Sequence, residues 1–281
     1  MTRRTVDLAS HLNQSVVRGH PADFPIGLQP VFYQRDQAFV EVPKRLAVIR
    51  EDTGLPIAVV SDRYTLVPHQ RILDIVDEAI EPLDVGPVPR GIYVDRQGAN
   101  MRAIYKFPAL AQPIQATDDI CPCLQIRNTY DGSARIAIHI GAFRFVCTNL
   151  AVGGGGVFAG GFVSIHAGAI PIETVAAQLR AYLTGFDRIV QMYRAWTEQR
   201  ADSDALWRIF DRVLRPHPEA LWQDLESRPS QTVFEAYNTA TRYATHCMRS
   251  HRTAFELLGR INVGFQQMFP VRDEAEAVNV G

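Results

Sequence analysis

The chain has 281 residues, of which 47% are hydrophobic and 21% are charged, and its formal net charge is −1. A chain of this size can bury the core of one large domain or of two small ones. The near-zero charge excludes attraction of nucleic acid by overall positive charge, but it is compatible with a local cationic patch. Lys44 and Lys106 are the only lysines, so almost every cation is an arginine, which suits bidentate contacts with phosphate. Genomic base composition is an alternative explanation of this bias.

No stretch of about 18 apolar residues is present to span a bilayer, and the N-terminus lacks the apolar block of a signal peptide. We therefore expect a cytoplasmic protein without membrane contacts, in which the four cysteines are reduced. Residues 1–30 show no sustained hydrophobic period, and we predict that they form an N-terminal arm.

Short β-prone runs dominate the chain from residue 31 onward. We predict strands over residues 38–42, 45–50, 56–61, 92–94, 101–107, 123–128, 134–140, 143–148 and 162–167. The turn-forming segment 51–54 separates the second and third runs. Residues 68–80 carry apolar side chains at helical spacing behind Pro68, so they predict an amphipathic helix packed on the strands. A β-rich domain is therefore expected over residues 31–170.

The hydrophobic period becomes helical after residue 171 and stays helical. Residues 172–199 are predicted as one long helix, and segments 204–215 and 230–269 supply two or three more, with Ser230 as a cap. Strands first and helices later favour an α+β fold. We predict an N-terminal, antiparallel-rich sheet with one amphipathic helix, followed by a C-terminal bundle of long helices, residues 171–281, packed on the sheet.

A β-hairpin is predicted over residues 123–149. Its turn is Asp131-Gly132, in which glycine accepts a positive φ angle and aspartate bonds nearby backbone amides. Strand alternation directs three isoleucines toward the core, namely Ile136, Ile138 and Ile140. The outer face is then expected to carry Gln125, Arg127, Arg135 and His139, with Tyr130 near the tip.

Gly141 and Ala142 leave the continuation of the second hairpin strand open. Without a bulge, Phe143, Phe145 and Cys147 join the outer face. A one-residue bulge at Gly141 turns them inward and turns Arg144 outward. The bulge is favoured, because two buried phenylalanines and one exposed arginine cost less than the converse.

Arginines beside aromatic rings on a sheet face are typical of a platform for single-stranded nucleic acid, since guanidinium groups follow phosphates and rings stack on bases. The residues predicted to bind are Arg127, Tyr130, Arg135, His139 and Arg144. The alternative is that these side chains only keep an exposed sheet face soluble.

Metal and nucleophile sites have weaker support. Cys121, Cys123, Cys147 and His166 include a C-x-C spacing that lacks zinc-knuckle geometry, so no metal and no cofactor is expected. Cys147 with His139 or His166 has the residue types of a nucleophile and its base, but no local catalytic signature accompanies it.

The segments "NTYDGS" (128–133), "FRFVCTN" (143–149) and "IHAG" (165–168) together resemble a phage- and plasmid-associated family, domain of unknown function 932. Segments 59–80 and 232–246 are similar to its strand-turn-helix entry and its C-terminal helix, so the likeness covers about residues 31–269. Thr129 and Tyr130 depart from the Ser-His pair that is commoner in the family. The positions that match its motif are Asn128, Asp131, Gly132, Ser133, Arg144, Cys147, Asn149 and His166.

The mobile-element setting of that family implies a role in replication, recombination or defence, and its layout is similar in outline to single-strand annealing recombinases. We therefore expect a non-enzymatic protein that binds single-stranded DNA as a homo-oligomer. The alternative is an enzyme whose site gathers the residues Asp131, Arg144, Cys147, Asn149 and His166. A third interpretation is that these polar side chains only brace the hairpin.

Overall fold

A computed structural model describes residues 21–116, 118–144, 150–152, 161–164, 172–213, 222–223, 227, 231–247 and 251–271. Antiparallel sheets form the N-terminal half and helices form the C-terminal half, which confirms the α+β fold class. The predicted domain boundary at residues 170–171 lies outside this described set. No helix within it combines the length and hydrophobicity that a bilayer crossing requires.

The first sheet has three antiparallel strands in sequential order. They are β1 (Ile26–Arg35), β2 (Ala38–Arg50) and β3 (Leu55–Ser61). β2 unites two runs that the sequence predicts as separate strands, and β1 begins inside the region assigned to the N-terminal arm. The turn between β2 and β3 lies where it is predicted, since Gly54 supplies the left-handed conformation with φ 68°.

The larger sheet is also antiparallel and contains seven of the described strands. They are β4 (Arg90–Asp95), β5 (Asn100–Lys106), β6 (Gln112–Gln115), β7 (Asp118–Thr129), β8 (Ile136–Arg144), β9 (Leu150–Val152) and β10 (Gly161–Ser164). The main order is β10-β8-β7-β5-β4, with β6 paired to β7 and β9 paired to β8. β7 is therefore an interior strand with β5 on one side and β8 on the other.

One face of the larger sheet is apolar and packs against the predicted amphipathic helix, α1 (His69–Ile80). Ile72, Leu73 and Val76 of α1 are fully buried, as the helical spacing predicts. Arg90 of β4 donates hydrogen bonds to the Asp77 carboxylate of α1 and to the Tyr105 hydroxyl of β5. The helix is thus fixed to two strands by polar contacts at the edge of its apolar contact.

The C-terminal half contains five described helices. They are α2 (Ile172–Thr184), α3 (Phe186–Glu198), α4 (Ser203–Val213), α5 (Val233–His246) and α6 (His251–Met268). The prediction of one long helix over 172–199 is wrong, because Gly185 leaves the helical conformation with φ −89° and ψ 2°. Glycine costs about 1 kcal/mol relative to alanine inside a helix, and here the chain turns at it. The apolar stripe continues across the break, so its period alone does not reveal two helices.

An aromatic cluster forms the centre of the helical half. Trp196 of α3 is fully buried, and its indole N–H donates to the backbone carbonyl of Phe269 at 2.9 Å. Tyr193, Tyr237 and Phe265 pack around this indole with ring centroids 5.3–6.0 Å from it. These rings belong to the same continuous core as the strands of the larger sheet, so sheet and helices share one hydrophobic interior.

The cap of α5 is Thr232, which corrects the prediction of Ser230. The Thr232 hydroxyl accepts a hydrogen bond from the Glu235 backbone N–H at 3.2 Å, and the Glu235 carboxylate accepts one from the Thr232 backbone N–H at 2.7 Å. This reciprocal capping box satisfies two backbone donors that a helix start otherwise leaves to solvent. Its T-x-x-E spacing was a readable signal in the sequence.

We expect Thr232→Ala to lower the free energy of unfolding by about 1 kcal/mol, because the helix loses its cap. Thr239→Ala is the matched control, since it deletes the same atoms in the middle of α5, where the hydroxyl only donates back to the Glu235 carbonyl. Urea denaturation followed by circular dichroism measures both variants. Equal stability of the two variants would contradict the capping role.

Candidate functional site

The turn of the predicted hairpin is present between β7 and β8. The Asp131 carboxylate accepts a hydrogen bond from the Ser133 backbone N–H at 2.9 Å, and Gly132 has a φ of 68°. The Thr129 hydroxyl donates to the Ala134 carbonyl at 3.0 Å and closes the turn. Both parts of the predicted turn mechanism are therefore confirmed.

Tyr130 is buried, which corrects its predicted position as an exposed ring near the hairpin tip. Its ring stacks on the His69 ring with centroids 3.9 Å apart, and its hydroxyl accepts a hydrogen bond from the His69 backbone N–H at 2.6 Å. Phe24, Val48 and Val60 complete a small core around it. The ring is covered because the three-stranded sheet and the start of α1 meet at this tip. Tyr130 is therefore not placed to stack on a base.

Asn128 lies beside Tyr130 in the buried contact between the hairpin and His69 at the start of α1, which we call the joint. Its amide nitrogen donates to the Val67 carbonyl at 3.0 Å and to Nδ1 of His69 at 2.9 Å. The second ring nitrogen of His69 then carries the proton and donates to the Gly98 carbonyl at 2.9 Å. The described contacts of Asn128 and of Asp131, two residues of the family motif, thus hold the turn and fix the hairpin to the entry of α1.

The predicted bulge at Gly141 is wrong. The pairing of β7 with β8 is unbroken from Ile120 opposite Arg144 to Arg127 opposite Ala137. Phe143 therefore follows His139 on one face of the sheet. It is buried nonetheless, and the Lys106 ammonium lies 3.9 Å from its ring centroid. The prediction failed because the end of this face around Phe143 is covered in the folded protein, so Phe143 is buried without a bulge.

The predicted arginines are separated along β8. Arg135 is exposed just before the strand begins, and Arg144 is its last residue. Nine residues of extended chain span roughly 30 Å. Asp131 and Arg144, the two described residues of the alternative enzyme site, lie toward opposite ends of the hairpin for the same reason. Cys147, Asn149 and His166 lie outside the described residues.

The strand register instead places polar side chains together on the face of the larger sheet opposite α1. Arg102 of β5 is directly opposite Arg127 of β7, and Gln125 of β7 is directly opposite His139 of β8. Residues directly opposite each other, or two apart on one strand, share a face. We call these four residues the polar sheet face: Arg102, Gln125, Arg127 and His139.

Residues 56–280 match the family model of the domain of unknown function 932 (DUF932). The chain belongs to this family. No curated protein and no solved structure matches it. The match includes the whole polar sheet face and α1, whereas β1 and β2 precede it.

Burial and the positive charge of a neighbouring arginine determine the protonation state of His139 on the polar sheet face. Burial lowers the pKa of His139 to about 4, and the neighbouring Arg127 guanidinium contributes to this shift. His139 is therefore neutral at pH 7. Gln125 is buried, and its side-chain oxygen has no hydrogen-bond partner among the described residues. Two half-buried guanidinium groups, a neutral imidazole and a buried amide can together hold an anion that also carries hydrogen-bonding groups.

Arg102 is the residue of this face that sequence reasoning missed. The alternation in residues 101–107 places Arg102 and Lys106 on the face opposite Met101 and Tyr105. That local signal was readable. The sequence does not reveal that Arg102 lies opposite Arg127, because the two residues are 25 positions apart in the chain.

The two described cysteines of the sheet are protected thiols. Burial raises the pKa of the Cys121 thiol to about 11 and raises the pKa of the Cys123 thiol still further. Both remain protonated at neutral pH, so neither is poised as a nucleophile or as a metal-binding thiolate. The described part of the chain contains no group of three or more residues suited to hold a metal ion.

We expect Tyr130→Phe to destabilise the fold by about 1–3 kcal/mol, because it leaves the buried His69 N–H without an acceptor. Tyr33→Phe is the matched control, since the Tyr33 ring is exposed. Chemical denaturation measures the free energy of unfolding of each variant. A Tyr130→Phe variant as stable as the control would show that the hydroxyl contributes nothing to the joint.

We expect the His139 imidazole to stay neutral down to about pH 4 in an NMR titration, with the His139→Gln spectrum providing its assignment. Arg127→Gln should raise this pKa, because a positive neighbour is removed, while Arg180→Gln on the exposed surface of α2 should not change it. The folded-state pKa lies below the ordinary value of about 6.5, so the unfolded chain binds more protons between these two pH values. Stability contributed by His139 is therefore present above about pH 6.5 and is lost as the pH falls toward 4. Titration of His139 near pH 6.5 in the wild type would contradict its burial beside Arg127.

Proposed function

We propose that this protein binds single-stranded nucleic acid through the polar sheet face. The observation that carries the proposal is the position of Arg102 directly opposite Arg127 on adjacent strands, with both side chains half-buried. A phosphate between the two guanidinium groups would accept hydrogen bonds from both.

A single strand fits this face better than a duplex does. Tyr93 of β4 is directly opposite Arg102 on its other side, so one row across the sheet contains an aromatic ring and two guanidinium groups. Neighbouring strands are about 4.8 Å apart, which lets a ring stack on one base while the arginines contact the adjoining phosphates. Reading a duplex requires a helix or ribbon that enters a groove, whereas this row lies within a sheet.

His139 supplies a hydrogen-bond acceptor for a base. The unprotonated nitrogen of its neutral imidazole accepts a hydrogen bond, and the buried Gln125 amide lies directly opposite it. Exocyclic amino groups of bases donate such bonds when a single strand exposes its base edges. Relative to the residues predicted from the sequence, Arg127 and His139 remain and Tyr93 replaces Tyr130, whereas Arg135 and Arg144 lie outside the row.

We place this binding in the recombination or replication of a mobile element, where a cytoplasmic protein would anneal or protect single strands. The support for this setting is the family resemblance alone. The geometry of the polar sheet face supports the contact with nucleic acid, independently of the process that it serves.

Fluorescence anisotropy with a labelled oligonucleotide of about 30 nucleotides tests the proposal, at low and at moderate salt. We expect micromolar or tighter binding at low salt that weakens as salt rises, because phosphate contacts release counterions. Arg102→Gln and Arg127→Gln should each weaken binding about tenfold, in line with the loss of a charged hydrogen bond. Arg180→Gln removes the same charge on exposed α2 and should leave affinity within about twofold.

Two results would overturn the proposal. One is the absence of binding at micromolar protein and low salt. The other is an equal loss of affinity in Arg180→Gln and Arg127→Gln, which would assign the binding to overall charge. The thermal midpoint of each variant confirms that the fold is intact.

A further inference from the structure

The hairpin of β1 and β2 extends beyond the three-stranded sheet. β3 pairs only with the second half of β2, from Arg45 to Arg50. Residues 32–35 and 38–41 pair only with each other among the described strands. We call residues 32–41 the apolar ribbon. It precedes the region that matches the family model, so its role is separate from that of the polar sheet face.

Large apolar side chains cover both faces of the apolar ribbon. Phe39 is 76% exposed and Phe32 is 54% exposed, and alternation places them on one face. Tyr33 is directly opposite Val40 on the other face, and both are exposed. A two-stranded ribbon is at best marginally stable in water by itself, and clustered exposed rings indicate a surface that another molecule covers.

A second apolar surface lies on the outer face of the same sheet. Val59 of β3 is 58% exposed and lies opposite Ala47 of β2. Ile49, two residues beyond Ala47 on β2, shares this face and is half-buried. The next residue, Val60, points the other way into the core around Tyr130. We call Ala47, Ile49 and Val59 the outer patch.

The balanced charges of the three-stranded sheet favour a second copy of the chain over nucleic acid as its partner. Residues 26–63 contain five cations, namely Arg35, Lys44, Arg45, Arg50 and Arg63. They also contain five anions, namely Asp36, Glu41, Glu51, Asp52 and Asp62. A phosphate backbone or an anionic membrane would require a positive excess, whereas a neutral surface meets its own copy without net repulsion.

The contact must be made through faces and not through strand edges. Pro30, Pro43 and Pro56 lie one in each of the three strands. Proline lacks the backbone N–H that edge pairing requires. The available surfaces are therefore the ribbon faces and the outer patch.

We propose that the apolar ribbon of one copy packs on the outer patch of a second copy. The ribbon of the second copy then packs on the patch of the first. The Phe32 and Phe39 face of the ribbon and the outer patch together expose on the order of 400 Å² of apolar surface per copy, counting about 200 Å² for each whole aromatic side chain. Two equivalent contacts then bury about 800 Å², which is the size of a weak, reversible interface.

Light scattering after gel filtration tests this with the full chain, nuclease-treated and free of nucleic acid, from about 1 to 100 μM. We expect a mass of at least twice the 31.4 kDa of one copy. Phe39→Ser on the ribbon and Val59→Glu on the patch should each weaken association more than tenfold. Val271→Ser is the matched control, since it removes an exposed apolar side chain that lies outside both the ribbon and the patch.

Three outcomes would each overturn the proposal: a wild-type monomer at 100 μM, equal association of Phe39→Ser and Val271→Ser, or a Val59→Glu variant that still associates. All three substituted side chains are exposed, so circular dichroism and thermal midpoints should stay at the wild-type values. Because nucleic acid is absent, this test can fail while the anisotropy experiment succeeds, and the reverse also holds.

Discussion

The attachment of α1 to the larger sheet depends on one buried histidine. His69 begins α1, its ring stacks on Tyr130, and its two nitrogens bond to Asn128 and to the Gly98 carbonyl. These contacts connect α1, the end of β7 and the connection between β4 and β5. β7 also carries Arg127 and Gln125, so the joint holds the strand that places half of the polar sheet face. A slip of one residue in β7 would turn both side chains to the opposite face.

The polar sheet face departs from the pattern of the rest of the core. Strands that are covered on both faces are usually apolar throughout, yet Gln125 and Asn100 are buried on the same face, each with an atom that lacks a hydrogen-bond partner in the described chain. Groups of this kind cost free energy unless something pairs with them. The aromatic interior around Trp196 supplies stability elsewhere. Departures from local rules that are concentrated at one place in an otherwise consistent fold are typical of functional sites.

Features that depend on residues close together in the chain could be predicted from the sequence. The Asp131-Gly132 turn, α1 and the change from strands to helices follow from turn chemistry and hydrophobic period, and all are present. The break at Gly185 was missed because the apolar stripe continues through it. Tyr130 was misplaced because its cover comes from His69, which is 61 positions away. The opposition of Arg102 and Arg127 depends on the register of β5 and β7, which no local pattern encodes.

The proximity of His139 to Arg127 would couple the proposed binding of nucleic acid to the uptake of a proton. A phosphate that neutralises Arg127 would remove part of what lowers the pKa of His139, so the complex would bind a proton more readily than the free protein does. Thermodynamic linkage then requires the converse, that the proton favours the phosphate by the same factor. The protonation state of His139 would thus depend on whether the neighbouring Arg127 guanidinium contacts a phosphate.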